Sequence, residues 1–328
     1  MSTLLEIKDL YVEYHTDEAV VHALNGFSLE LGRNETLGLV GETGAGKTTM
    51  ALSIMQLLPE GVGEITAGSI AYNDINLMDL SKRQLRKMRG SEISMIFQDP
   101  MTSLNPILSV GEQIREVLHL HYSDMSKSEQ NRRVDELMTL VGISPLRKDE
   151  YPHQFSGGMR QRIVIAMALI AEPKLLIADE PTTALDVTIQ AQILMLMKNL
   201  KQKFESAMIF ITHDLGVVSE FCDNVAVVYA GEIIERGTVE QVFTRDVCHP
   251  YTQGLFECVP DLKSTVSRLP HFKGIMVDPT NLPPGCKFAE RCNNCMELCE
   301  KENPAMCYSE DGHGIKCHLF EQKGAKRL

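Results

Sequence analysis

An α/β fold built around a parallel sheet is predicted by three features of the sequence. A strand-like run lies at 36–40, and apolar runs at 175–178 and 207–211 close on polar residues. Runs of four or five apolar positions are strand-sized, and unbroken hydrophobicity suits strands covered on both faces, as in parallel sheets. The first run leads into Gly41-Glu42-Thr43-Gly44-Ala45-Gly46-Lys47-Thr48-Thr49, a glycine-rich loop that opens a helix-like stretch. The block 110–142 carries helical spacing.

Taken in order, residues 4–31 and 64–75 alternate enough to be antiparallel strands. After the strand at 36–40, a helix is expected from Lys47 to Leu58 and stops at Pro59, which breaks the hydrogen-bond ladder. Within 110–142, Ser126-Lys127-Ser128-Glu129 reads as a capping box. Val134, Leu137, Met138 and Val141 follow at helical spacing, and Gly142 is a stop. A helix is expected through Ile163–Ile170, and Ile189, Ile193, Leu196 and Leu200 form a further stripe that reads as core.

The loop at 41–49 is Gly-x-x-x-x-Gly-Lys-Thr between a strand and a helix, and its chemistry is phosphate binding. Glycines turn backbone N–H groups toward an anion that then sits at a helix N-terminus. Lys47 adds positive charge near the β- and γ-phosphates, and the Thr48 hydroxyl can ligate Mg²⁺. The run Leu175–Ala178 ends in Asp179-Glu180. Asp179 is placed to hold Mg²⁺ through water, and Glu180 to polarise an attacking water as general base. His213 follows the run at 207–211, where it can contact the γ-phosphate, and Gln98 closes the apolar run before Asp99. A nucleoside triphosphate is the expected ligand.

Gly41–Thr49, Gln98, Phe155-Ser156-Gly157-Gly158-Met159-Arg160-Gln161-Arg162, Leu175–Glu180, Ala184-Leu185-Asp186 and His213 resemble, in order, the Walker A, Q-loop, signature, Walker B, D-loop and H-loop motifs of ABC ATPases. The resemblance spans about residues 4–260, and a signature lying between the two Walker motifs separates it from other P-loop NTPases. Phe155 and Met159 depart from the commonest signature, which has Leu and Gln there. The resemblance implies a P-loop ABC ATPase core, with a RecA-like parallel sheet, an antiparallel β-subdomain and a helical subdomain.

That resemblance also implies roles for single residues. Glu180, His213 and Gln98 become catalytic, and Thr48, Gln98 and Asp179 become Mg²⁺ ligands. Gly41, Glu42, Thr43, Gly44, Ala45, Gly46, Lys47, Thr48 and Thr49 hold ATP. Ser156, Gly157 and Gly158 meet the γ-phosphate bound by a partner subunit, and Asp186 faces across the dimer. Tyr14 falls where the family often keeps an adenine-stacking aromatic; the alternative is a strand residue packing on the β-subdomain. With one P-loop and one signature in the chain, the working unit implied is a dimer with a second ABC ATPase subunit.

At 328 residues, with 44% hydrophobic and 23% charged residues, the chain can bury a large core and is not of disordered composition. A formal net charge of −12 without a basic stripe argues against a nucleic-acid partner. Residues 1–6 lack signal-peptide form, and the most apolar stretch, 163–177, is broken by Glu172, Pro173 and Lys174. No bilayer span is expected, so a membrane role has to come through a partner. Neither the long coiled-coil insertions nor the doubled ATPase domain of soluble ABC ATPases in DNA repair or translation is present.

Composition changes near residue 260, which suggests an ATPase domain at 1–260 and a Cys-rich domain at 261–328. Cys286, Cys292, Cys295, Cys299, Cys307 and Cys317 crowd into the latter, and metal is the default reading for such a cluster. Four thiolates can hold a [4Fe–4S] cluster or Zn²⁺. This tail, with His249-Pro250-Tyr251-Thr252 before it and Phe97–Pro106 around Gln98, resembles the oligopeptide/dipeptide (and nickel) permease ATPases, their D-type subunit in particular.

The subfamily's pattern implies a [4Fe–4S] cluster on Cys286, Cys292, Cys299 and Cys317, with Cys295 and Cys307 as extras and Zn²⁺ as the alternative. It further implies a related F-type paralogue as the second ATPase subunit, two transmembrane permease subunits, and an extracytoplasmic substrate-binding protein acting indirectly. The place implied is peripheral, on the cytoplasmic face of the membrane. The tail has few apolar side chains and is expected to need the metal as its core, while the ATPase core, with its own sheet and helices, is expected to stand without it.

Overall fold

The computed structural model describes residues 2–183, 185–244, 247–258, 274–321 and 326–327. They group into two units: residues 32–36 and 79–211 build one, and residues 3–31, 37–78 and those described from 212 onward build the other.

The second unit opens with β1 (Thr3–His15), β2 (Val20–Gly32), β3 (Thr36–Val40), α1 (Lys47–Ile54), β4 (Gly63–Tyr72) and β5 (Ile75–Asn76). β1 pairs antiparallel with β4, Leu5 opposite Tyr72 and Tyr14 opposite Gly63, in a four-stranded sheet ordered β2-β1-β4-β5. The buried row along β1 runs Leu5, Ile7 and then Leu10, Val12, changing phase where the register shifts between Lys8 and Tyr11. A bulge of this kind re-aims the inward face without ending the strand. All five residues of β3 are buried, Thr36 among them, as suits a strand covered on both faces. α1 ends at Ile54 instead of Leu58, because Gln56 takes a left-handed φ of 50° and turns the chain ahead of Pro59.

The first unit follows as α2 (Lys82–Met88), β6 (Ile93–Ile96), α3 (Pro100–Ser103), α4 (Val110–His121), α5 (Lys127–Leu140), α6 (Gly157–Leu169), β7 (Leu175–Asp179), α7 (Val187–Phe204) and β8 (Ala207–Ile211). β6, β7 and β8 run parallel, with Ile93 opposite Leu175 and Leu175 opposite Ala207, and every residue in them is buried. The block 110–142 divides into α4 and α5. Ser109 and Glu112 form a reciprocal capping box on α4. Ser126 caps α5 by accepting from the Glu129 N–H, but the Glu129 carboxylate is taken by Arg132, so the capping box expected there is only half made.

The remainder of the second unit comprises α8 (Leu215–Phe221), β9 (Asn224–Tyr229), β10 (Glu232–Thr238), α9 (Val239–Thr244), α10 (Pro250–Glu257), α11 (Glu297–Lys301), β11 (Cys307–Tyr308), β12 (Gly314–Ile315) and α12 (His318–Glu321). β9 lies parallel to β3 and antiparallel to β10, and β10 in turn carries β12 and then β11.

The expectation of a tail independent of the ATPase core is corrected here. Phe288 is buried in one cluster with Val40, Tyr229 and Tyr251, and Cys286, Cys292 and Met276 pack against it. Its ring stands edge-on to Tyr229 and Tyr251 at 5.3 and 5.5 Å, a favoured aromatic geometry. A few well-placed side chains, not a periodic run, join tail to sheet. The boundary near 260 falls within 259–273, outside the described residues. Among the described residues no helix is long and apolar enough to cross a membrane.

Candidate functional site

The glycine-rich loop bends sharply from β3 into α1. Gly46, the residue before α1, has φ 102°, and a Cβ there would lie 2.7 Å from the Ala23 carbonyl oxygen, so glycine is required twice over. Lys47 is 6% exposed, and its Nζ donates to the carbonyls of Gly41 and Glu42 at 2.8 and 2.9 Å. The cation is thereby held inside the curve of the loop, with Thr43, Gly44 and Thr48 on the exposed rim. Ala45 is buried and its carbonyl accepts from the Gly231 N–H. Tyr14 reaches α1 from β1, its hydroxyl donating to Thr49 Oγ1 at 3.2 Å. The half-buried ring thus belongs to the surroundings of the loop. His213 is exposed just after β8, between Thr212, whose N–H donates to the Leu39 carbonyl, and Asp214, which caps α8.

Glu42 is held by residues far along the chain. Its N–H donates to the Tyr251 hydroxyl at 2.9 Å, and its carboxylate accepts from both terminal nitrogens of Arg291 at 2.7 and 2.9 Å. These hydrogen bonds raise the Arg291 pKa still further above its ordinary value. Burial first, and the Glu42 charge second, push the Tyr251 phenol up, so it stays protonated. Neither Tyr251 nor Arg291 stood out as a site residue in the sequence: Tyr251 lay in the motif before the tail and Arg291 inside the tail, with no signal tying either to the loop.

In the other unit, Gln98, Asp179 and Glu180 come together at the ends of β6 and β7. Asp179 is 2% exposed. Gln98 Nε2 donates to Glu180 Oε2 at 3.1 Å, and the Thr183 hydroxyl donates to the same oxygen at 2.9 Å. Glu180 takes φ 48°, an uncommon left-handed backbone for a non-glycine residue, and its N–H donates to the Ile211 carbonyl. A carboxylate so held is fixed in orientation by two donors to one oxygen. Because a carboxylate only accepts, Gln98 must present its NH₂ to Glu180, which directs its amide oxygen elsewhere. Thr183 was missed in the sequence, where it is one of two adjacent threonines after Pro181.

Ser156 caps α6 through the Met159 N–H, and Asp186 caps α7 through the Ile189 N–H. Both hold exposed helix starts. Ala184, beside Asp186 in its motif, lies outside the described residues. A Cβ on Gly158 would meet Ile189 Cγ2 at 2.6 Å, so this glycine is demanded by the approach of α6 to α7. The two unusual signature residues share one partner. The Arg147 guanidinium stacks 4.2 Å from the Phe155 ring and reaches the Met159 sulfur at 3.6 Å, while Glu150 holds it from the other side.

Cys286, Cys292, Cys299 and Cys317 all line one small cavity, together with His249, Phe288 and His318. Cys295 is exposed and Cys307 is buried in β11, and neither lines it. Burial, reinforced by the neighbouring thiols, pushes the Cys286 thiol up to about 12 and raises Cys292 and Cys317 as well. No group of three or more His, Cys, Asp or Glu side chains converges as for a single metal ion among the described residues.

Comparison with known proteins agrees with this geometry. Residues 24–183 match the ABC transporter family, and residues 234–299 match the oligopeptide/dipeptide transporter C-terminal region. The chain is 47% identical to the oligopeptide transport ATP-binding protein AppD of Bacillus subtilis (strain 168), over 100% of both chains. It is 48% identical to the dipeptide transport ATP-binding protein DppD of the same organism, over 98% of this chain and 96% of that one. Among solved structures it is similar to the dimeric post-hydrolysis state of the ATP-binding cassette MJ0796 bound to ADP and Pi. The TM-score is 0.65 at 28% identity, covering 72% of this chain and 98% of that chain. CbiO1 from Clostridium perfringens, part of the ABC transporter complex cbiONQ, gives the same TM-score at 30% identity, covering 75% and 92%.

Proposed function

The chain belongs to the ATP-binding subunits of the oligopeptide/dipeptide class of ABC transporters, and from that premise we propose that it hydrolyses ATP to power the import of di- and oligopeptides. The observation that carries the hydrolytic part is Glu180, a carboxylate fixed by Gln98 and Thr183 at the end of a buried strand. Lys47 and the loop amides bind the phosphates; Glu180 orients the attacking water and accepts its proton. Thr48, Asp179 and Gln98 offer a hydroxyl, a carboxylate and an amide oxygen, the hard oxygen donors that Mg²⁺ takes. When bound, Mg²⁺ neutralises charge on the β- and γ-phosphates.

Ser156, Gly157 and Gly158 are assigned to the nucleotide of a second ATPase subunit, a related F-type chain, with Asp186 facing that subunit. Two membrane-spanning permease subunits anchor the pair on the cytoplasmic face, and the extracytoplasmic binding protein meets only those. His213 is assigned to the γ-phosphate and Tyr14 to the adenine. The lone P-loop, the dimeric cassette relatives and the full-length likeness to peptide-transport subunits support this assembly.

Cys286, Cys292, Cys299 and Cys317 are assigned to a [4Fe–4S] cluster. A zinc ion, with Zn–S bonds of about 2.3 Å, would draw four sulfurs to within about 4 Å of one another around a point. The four described cysteines line one cavity and supply the four soft thiolates that a cubane takes, one to each iron, with Zn²⁺ as the alternative. The cluster would tie the tail's loops together as a metal core.

Replacing Glu180 with Gln tests the catalytic assignment. The amide keeps the shape but cannot take a proton, so ATP binding persists while turnover drops roughly 10²–10⁴-fold. Hydrolysis at the wild-type rate in this variant would remove Glu180 from its role.

A further inference from the structure

Glu42 is the only acidic residue in the loop 41–49, and a triphosphate arriving there brings several negative charges of its own. An unpaired carboxylate at that position would repel the ligand. Here it is met by Arg291, whose side chain is 5% exposed and donates twice to it. The guanidinium is seated against the rings of Tyr229 and Phe288, 5.7 and 5.8 Å from their centroids. Side chain, amide and carbonyl of Glu42 are all engaged, by Arg291, Tyr251 and Lys47 respectively.

We propose that Arg291 is a positioning residue for the nucleotide: it neutralises Glu42, draws its carboxylate toward the tail and so keeps the loop electrostatically open to a triphosphate. The proposal rests on the ATP-binding reading above. Arginine suits the task because it stays charged and its planar fork matches a carboxylate in two-point contact. Removing it leaves Glu42 charged and partly buried with no counter-ion, a worse state than removing both partners. Since Arg291 directly precedes Cys292, the segment lining the cysteine cavity is also the one that sets the loop.

The test is equilibrium binding of a fluorescent ATP analogue to the purified full chain, displaced by ATP, ADP and AMP. Arg291→Gln should weaken ATP about tenfold or more, the weight of one charge-assisted contact of this kind, with a smaller loss for ADP and the smallest for AMP. Arg291→Lys, which keeps the charge but not the fork, should fall between Arg291→Gln and wild type. Adding Glu42→Gln to Arg291→Gln should recover at least half of the lost affinity. A melting curve accompanies each variant, and if Arg291→Gln fails to fold, Arg291→Lys and the double variant carry the comparison. Unchanged ATP affinity on loss of Arg291, an equal loss for all three nucleotides, or no recovery in the double variant would overturn the proposal. Failure of the wild-type chain to bind ATP at all would instead sink the reading beneath it.

Discussion

A left-handed backbone at Glu180 costs a non-glycine residue about 1–2 kcal/mol, and it is kept where the carboxylate meets Gln98 and Thr183. The strained backbone and the two donors fix the orientation of the carboxylate. Thr183→Val should therefore lower kcat about tenfold with little change in KM for ATP, the size expected when one donor to a charged group is lost. Steady-state kinetics decide this, and an unaltered kcat would show that the hydroxyl is idle. Gly158 carries a second lesson. Its hydrogen faces Ile189, so Gly158→Ala should destabilise the α6–α7 packing by about 1–3 kcal/mol in chemical denaturation. At Gly157 a Cβ has its nearest neighbour at 3.9 Å, so Gly157→Ala should leave stability intact and is the better probe of the phosphate role proposed for the signature. Equal destabilisation by both would contradict the packing account. Glu180, Lys47 and the signature were legible in the sequence because fixed spacing marks them. Thr183, Arg147 and Arg291 were not, because each acts through one contact with a residue distant in sequence.

Among the elements, the strands were the most legible: β3, β7 and β8 are buried along their length and match the strands expected at 36–40, 175–178 and 207–211. β11 and β12 have two residues each, too few for any period to register, and the pairing of β12 with β10 and of β11 with β12 could only be seen in space. The tail's integration follows from Phe288 and Arg291, single side chains in a segment that composition marks as polar and cysteine-rich. The cavity gives a sharp test of which thiols matter. Cys292→Ser should abolish the bound iron of anaerobically purified protein, expected at about four per chain with broad absorption near ~400 nm, and Cys295→Ser should keep it. Iron lost equally from both, or one zinc per chain in the wild type, would refute the ligand set. Because the tail shares a core with β9 and β10, Cys292→Ser should also lower the melting temperature of the ATPase portion, contrary to what composition suggested.

For the molecule as a whole, acid should be destabilising in a defined window. His249 is fully buried, and burial pushes its pKa down to about 3 from an ordinary value near 6.5. Its Nδ1 accepts the Tyr251 N–H at the start of α10, which only the neutral ring can do. A depressed pKa of this kind contributes stability above pH 6.5 and loses it as pH falls toward 3, to a limit of a few kcal/mol. His249→Asn keeps a helix-capping acceptor without the titration, so its stability should fall less steeply across that window in urea melts. Parallel profiles for the two proteins would assign the acid lability elsewhere.

The import function itself is tested by ATP-driven uptake of a labelled peptide into vesicles holding this chain with its ATPase and permease partners. ATP should drive accumulation of the peptide with the wild-type chain, and the same vesicles carrying Glu180→Gln should bind ATP yet accumulate none. Accumulation undiminished by Glu180→Gln, or wild-type vesicles that hydrolyse ATP without moving any di- or oligopeptide, would contradict the account.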